Sequence, residues 1–180
     1  MNKLELNFRQ VEPYVPGEQP DLPDMIKLNT NENPYPPSPK VSEALKNFDV
    51  ETLRLYPDPA SGVLVDALAE KYHVQPFQVY TGVGSDDVLA IAFLTFFNSG
   101  KPILFPDITY SFYDVWAELF QIPYERPALD SNFELCLEDY MQDNGGIVIA
   151  NPNAPTGMKQ DEDFLRKVIE ANPDVVVIID

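Results

Sequence analysis

The chain is 180 residues long, with 44% hydrophobic and 12% aromatic residues, enough to bury the core of one globular domain. Twelve Lys and Arg stand against 29 Asp and Glu, a formal net charge of −17, and a field of that sign repels nucleic acid and anionic membrane surfaces. A lone cysteine, Cys136, makes no internal disulfide and a lone histidine, His73, makes no His-rich metal site, so both are read as structural, the cysteine as a small buried hydrophobe, and no metal is expected.

Residues 1 to 39 are unlike the rest. Prolines at 13, 16, 20, 23, 34, 36, 37 and 39 forbid long helices and disfavour central strands, which predicts an extended arm. Val11, Tyr14, Val15, Met25, Ile26, Leu28 and Tyr35 make it too apolar for a free tail, so it should pack on another surface. Met1–Asn7 lacks the apolar run of a signal peptide, and no later window approaches ~18 uninterrupted apolar residues, which leaves the cytoplasm as the expected location.

Ser38 as N-cap and Pro39 at the first helical position predict a helix through Phe48, with Val41, Ala44, Leu45 and Phe48 on one stripe. A turn over Leu53–Pro59 ends it. A second helix starts at Ser61 and Gly62 and runs to about Tyr72; its stripe of Leu64, Val65, Leu68, Ala69 and Tyr72 reads as core.

Val79-Tyr80-Thr81-Gly82-Val83-Gly84-Ser85-Asp86-Asp87, leading into the apolar run from Val88 to Leu94, reads as strand, glycine turn and helix. Ser85 stands where an N-cap would, and Asp86 and Asp87 suit the positive end of the helix dipole. Backbone N–H groups there can take a phosphate. Neither the dinucleotide fingerprint nor the P-loop is matched, because Asp87 replaces a required glycine and no Gly-Lys-Ser/Thr is present there. Taken alone, the turn is either a phosphate cradle or an ordinary α/β loop.

From Gln78 the expected elements alternate: strand 78–81, helix 85–98, strand 102–106, helix 110–120, strand 122–126, helix about 136–142, strand 146–150, helix 160–171 and strand 174–180. This predicts an α/β domain over 40–180, a mainly parallel sheet with helices on both faces. Ligands of such sheets bind at the carboxyl ends of the strands, where the unusual loops fall: Gly82 to Asp87, Pro106 to Tyr110, and Asn151 to Gly157. Asp180, an uncompensated carboxylate after the apolar run Val175–Ile179, is expected to be a site residue, the mark of a truncated sheet, or both.

Five motifs in order, Pro13-Tyr14-x-Pro16-Gly17, Leu28-Asn29-x-Asn31-Glu32-Asn33-Pro34, Tyr56-Pro57-Asp58, Gly82-x-Gly84-Ser85-Asp86-Asp87 and Asn151-Pro152-Asn153-Ala154-Pro155-Thr156-Gly157, closed by Asp180, resemble the pyridoxal-phosphate aminotransferases of the aspartate aminotransferase fold. Within that fold the likeness is to the histidinol-phosphate aminotransferases. The resemblance implies pyridoxal 5'-phosphate as cofactor, histidinol phosphate and 2-oxoglutarate or glutamate as substrates, and a homodimer. It implies that Asp180 partners the pyridine nitrogen and that Tyr110 stacks on the ring. Gly84, Ser85, Asp86 and Asp87 belong to the phosphate loop, with both carboxylates turned away from the phosphate. Tyr56 reaches the phosphate of the neighbouring subunit, and Tyr14 and Asn31 lie near the substrate. The family usually has Asn where Ala154 stands, and Asn153 is the residue that can replace it. The family's Schiff-base lysine sits in a Ser-x-Ser-Lys stretch beyond Asp180, so the resemblance also implies that this is the N-terminal part of a larger enzyme. Lys27, Lys101 and Lys159 lack that context. Another aminotransferase or a phospho-amino-acid decarboxylase of the same fold is the alternative, and a non-catalytic α/β module is a third.

Overall fold

Four short strands, β1 (Ile103–Leu104), β2 (Tyr124–Glu125), β3 (Gly146–Ile149) and β4 (Val177–Ile179), form one parallel sheet in the order β2-β1-β3-β4. The computed structural model describes residues 8–18 and 20–180. The expectations for Met1–Asn7, both as a possible leader and as the start of the arm, lie outside them. The described residues also form five α-helices: α1 (Pro39–Lys46), α2 (Gly62–Tyr72), α3 (Ser85–Phe96), α4 (Phe112–Phe120) and α5 (Glu162–Ala171).

Side chains alternate across a strand, and that alternation sorts the core into two layers. Val148, Ala150, Ile103 and Phe105 pack with Leu89, Phe93 and Phe97 of the α3 segment and with Tyr113, Trp116 and Ala117 of α4. Ile147, Ile149 and Leu104 pack on the other face with Tyr140 and with Val168 of α5. Each fully buried aliphatic contributes roughly 1.5–3 kcal/mol. The α/β class with helices on both faces is therefore as the sequence indicates. At the amino end of the sheet, the buried amides of Asn144 and Asn172 bond to each other at 2.7 Å. Asn172 also holds the carbonyls of Tyr140 and Val168, tying α5 to the segment before β3.

Several elements differ from expectation. Residues 78–81 form no strand: Pro76–Gln78 is a 3-10 turn, and residues 79–81 pair with no strand of the sheet. The expected helix near 136–142 is a 3-10 turn, Leu137–Tyr140. The first helix stops at Lys46, where Asn47 caps it, and Val50–Arg54 makes a separate 3-10 turn. Ser38 does act as its N-cap. Ser61 does not cap α2: it lies in the left-handed region at φ 48°, and the Asp58 carboxylate takes the N–H groups of Ala60 and Gly62 instead. Those two bonds hold the Asp58 carboxyl below its ordinary range. Gly84, not Ser85, is the N-cap of α3. Cys136 is exposed rather than buried, with Sγ 3.1 Å from Glu138 Oε2, because the 3-10 turn directs Tyr140 and not the thiol into the core.

Among the described residues two compact units emerge, one of 8–14 with Gly82–Asp180 and one of Val15–Thr81, and the expected boundary at residue 39 falls inside the latter. There, of the α2 stripe read as core, only Ala69 is buried, with Leu64 and Tyr72 exposed; Val41, Leu45 and Phe48 of the α1 stripe are exposed as well. The physical reason is that this unit holds no strand to lay those stripes against.

Candidate active site

The carboxyl ends of β1, β3 and β4 carry the Pro106–Tyr110 loop, the Asn151–Gly157 loop and Asp180. Asp180 extends the ladder beyond β4, its N–H donating to Ile149 O at 3.0 Å and its carbonyl accepting from Asn151 N–H at 2.8 Å. Its side chain is not uncompensated, as the sequence suggested: the Tyr113 hydroxyl donates to Asp180 Oδ2 at 2.5 Å. Tyr113 is fully buried in the aromatic cluster. Burial, then the hydrogen bond to Asp180, push its phenol far above the ordinary tyrosine range.

The glycine turn is built by close approach. A Cβ on Gly82 would stand 2.8 Å from both Asp87 Oδ2 and Val88 Cγ2, and Gly84 has φ 95°. Gly84 supplies no side-chain cap, and the first-turn N–H groups of Ser85, Asp86 and Asp87 have no carbonyl one turn behind them. They form a donor set at the positive end of a 12-residue helix, beneath open space over Gly84, which suits a phosphate dianion. The two acids behave differently. Asp86 Oδ1 accepts from the Tyr110 hydroxyl at 3.0 Å, whereas Asp87 folds back over the turn and its Oδ2 accepts the Val83 N–H at 3.2 Å.

Tyr110 is half-buried, with its phenol pushed upward first by burial and then by Asp86. Tyr14 stands edge-on to it at 6.2 Å and stacks on Phe112 at 4.4 Å, so the arm residue and the loop aromatic are brought together. Asn153 is buried and its amide is engaged within the protein. Oδ1 accepts from Thr109 Oγ1 at 2.7 Å, and Nδ2 donates to Ile108 O at 2.9 Å and to Thr156 Oγ1 at 3.0 Å. It therefore ties the β3 loop to the β1 loop. Asn31 and Tyr56 belong to the other unit, where both are exposed.

The aminotransferase class I and II family model matches residues 23–180. The chain belongs to this family. It is 52% identical over 174 residues to a histidinol-phosphate aminotransferase of Lactococcus lactis subsp. cremoris, covering 97% of this chain and 49% of that protein. It is 54% identical over 172 residues to the Clostridium beijerinckii enzyme of the same name, covering 96% and 48%. The chain thus spans about half the length of the curated relatives it matches. Among solved structures, the Sinorhizobium meliloti histidinol-phosphate aminotransferase in complex with pyridoxal-5'-phosphate superposes with TM-score 0.74 at 20% identity. That match covers 83% of this chain and 42% of the other, a likeness of fold.

Within this member of the family, two polar residues of the site escape a reading of the sequence. Tyr113 is one; its signal lies in Tyr110-Ser111-Phe112-Tyr113, where a spacing of three at a helix start puts two hydroxyls on one side. Thr109 is the other, and only the fold shows that its hydroxyl meets Asn153.

Proposed function

We propose that this chain supplies the cofactor-facing wall of a histidinol-phosphate:2-oxoglutarate aminotransferase that uses pyridoxal 5'-phosphate. When bound, that cofactor supplies an electron sink for amino-group transfer. The observation that carries the reading is the meeting of three features in one unit: a helix N-terminus with no side-chain cap, an aromatic tied to that helix by Asp86, and a strand-end carboxylate with Oδ2 engaged by Tyr113. Among the described residues Asp180 Oδ1 has no hydrogen-bond partner and is available to hold a ring-nitrogen proton. The N–H groups of the first turn of α3 and the Ser85 hydroxyl hold the phosphate. Tyr110 faces the ring, held by Asp86, while Asp87 rigidifies the turn. Tyr14 and Asn31 serve the substrate, and Tyr56 serves the neighbouring subunit of a cytoplasmic homodimer. Asn153 keeps the two loops in register.

The residues fit the cofactor's anion and pyridine ends but not its covalent anchor, since none of Lys27, Lys101 and Lys159 stands in a Ser-x-Ser-Lys context. The 180-residue chain alone is therefore inactive and, treated with pyridoxal phosphate and borohydride, gains no stoichiometric mass adduct at a unique lysine. The full-length protein should transfer the amino group of histidinol phosphate to 2-oxoglutarate with a higher kcat/KM than that of phenylalanine. The opposite preference, or decarboxylation of a phospho-amino acid, would move the reading to a relative of the same fold.

A further inference from the structure

We propose that Tyr113 is a positioning residue that fixes the Asp180 carboxylate, so that one oxygen is engaged by the protein and the other is presented outward. The inference rests on the reading of Asp180 as the partner of the cofactor's ring nitrogen. Tyr113 occupies the second position of α4, whose buried positions Tyr113, Trp116 and Ala117 obey the i, i+3, i+4 rule. Its ring is walled by Phe93 at 6.2 Å, Phe105 at 5.8 Å, Tyr110 at 5.7 Å and Trp116 at 6.3 Å. A two-torsion side chain held on four sides keeps little freedom, so the hydroxyl is aimed by packing and not by the bond it makes. The acceptor is fixed separately, because the Asp180 backbone is bonded to the β3 segment through both its N–H and its carbonyl.

A proton donor on Oδ2 leaves Oδ1 as the oxygen that takes the next donor, which converts a rotating carboxylate into a directional acceptor. Without Tyr113 the Asp180 side chain has no hydrogen-bond partner among the described residues. The neighbouring hydroxyl does not duplicate this role, because Tyr110 donates to Asp86.

The test is a double-mutant cycle in the full-length holoenzyme with Tyr113→Phe, Asp180→Asn and the double variant. It reads kcat and KM separately, together with the 15N shift of a ring-labelled cofactor. Tyr113→Phe should lower kcat about tenfold, the scale of one hydrogen bond to a charged group, leave KM within about twofold, and move the ring-nitrogen shift toward that of Asp180→Asn. It should cost nothing further in the Asp180→Asn background. An equal loss in both backgrounds, or no change in shift, would reduce Tyr113 to packing and overturn the proposal. A turnover unaffected by Asp180→Asn would remove the ring-nitrogen reading itself, and Tyr113 with it. Should Tyr113→Phe fold poorly, 3-fluoro- and 3,5-difluorotyrosine at 113 preserve the ring and grade the donor. A ring-nitrogen shift that steps with phenol acidity supports the role, and one that does not step overturns it.

Discussion

The two units are built from similarly apolar sequence, yet they bury it very differently. Between residues 15 and 81, excluding Gln19, Ala69 is the only buried residue, while the segment from Leu89 onward buries two complete layers around its sheet. Helix α2 keeps Val63 at 90% and Leu64 at 51% exposure, whereas Phe93 of α3 is at 0%. Both helices carry an apolar stripe. What separates them is a parallel sheet to receive one stripe and nothing comparable in the unit that carries the other. Hydrophobic periodicity therefore reports that a face is suited to burial, and the topology decides whether the chain itself provides the burial.

The sharpest way to break this comparison is a matched pair of truncations. Phe93→Ala removes a ring packed against Phe97, Tyr113 and Trp116 and should cost about 3–5 kcal/mol in urea denaturation. Leu64→Ala should stay within about 0.5 kcal/mol in the same chain. Comparable losses at both sites would mean that the Val15–Thr81 unit buries its stripe after all. Asn153→Ala should cost about 1–3 kcal/mol by leaving Thr109 Oγ1 and the Ile108 carbonyl without their amide partner. A thermal melt that does not change would release Asn153 from its loop-locking role.

A smaller effect concerns hydroxyls. Tyr140 is fully buried and its Oη has no partner among the described residues, so Tyr140→Phe should be neutral or stabilising by up to about 1 kcal/mol. Tyr113, by contrast, has Asp180. For Tyr110, Tyr113 and Tyr140 burial is the leading cause of an upward shift in the phenol. A folded-state pKa above the unfolded one means that the associated stability is fully present below about pH 10 and is lost as pH rises through the folded value. Tyrosinate absorbance followed against near-ultraviolet circular dichroism should show these three phenols ionising together with alkaline unfolding. Their ionisation in a still-folded protein would contradict the packing described for the core.

Much of the sheet-bearing unit is legible in the sequence because its signals are local. The runs at 147–150 and 175–179 are continuous and apolar, as expected of strands covered on both faces; the first is fully buried, whereas the second forms an edge strand that stays partly exposed. The α3 glycine turn announces itself by composition. What is not legible is non-local. Tyr80 stands in a strand-like stretch, but no partner strand reaches it. Ser85 has the composition of a cap, but Gly84 holds the positive φ that the turn needs. The compensation of Asp180 comes from a residue 67 positions away, and the engagement of Asn153 depends on loops 44 positions apart. Neither leaves a pattern along the chain.

The measurement that bears most directly on the central claim is the steady-state kinetics of Asp180→Asn in the full-length enzyme. If the strand-end carboxylate holds the ring-nitrogen proton, the amide keeps the shape and loses the charge. A fall in kcat of at least about a hundredfold is then expected, with KM changed no more than a few-fold. Turnover equal to that of the unsubstituted enzyme, with cofactor content verified, would contradict it.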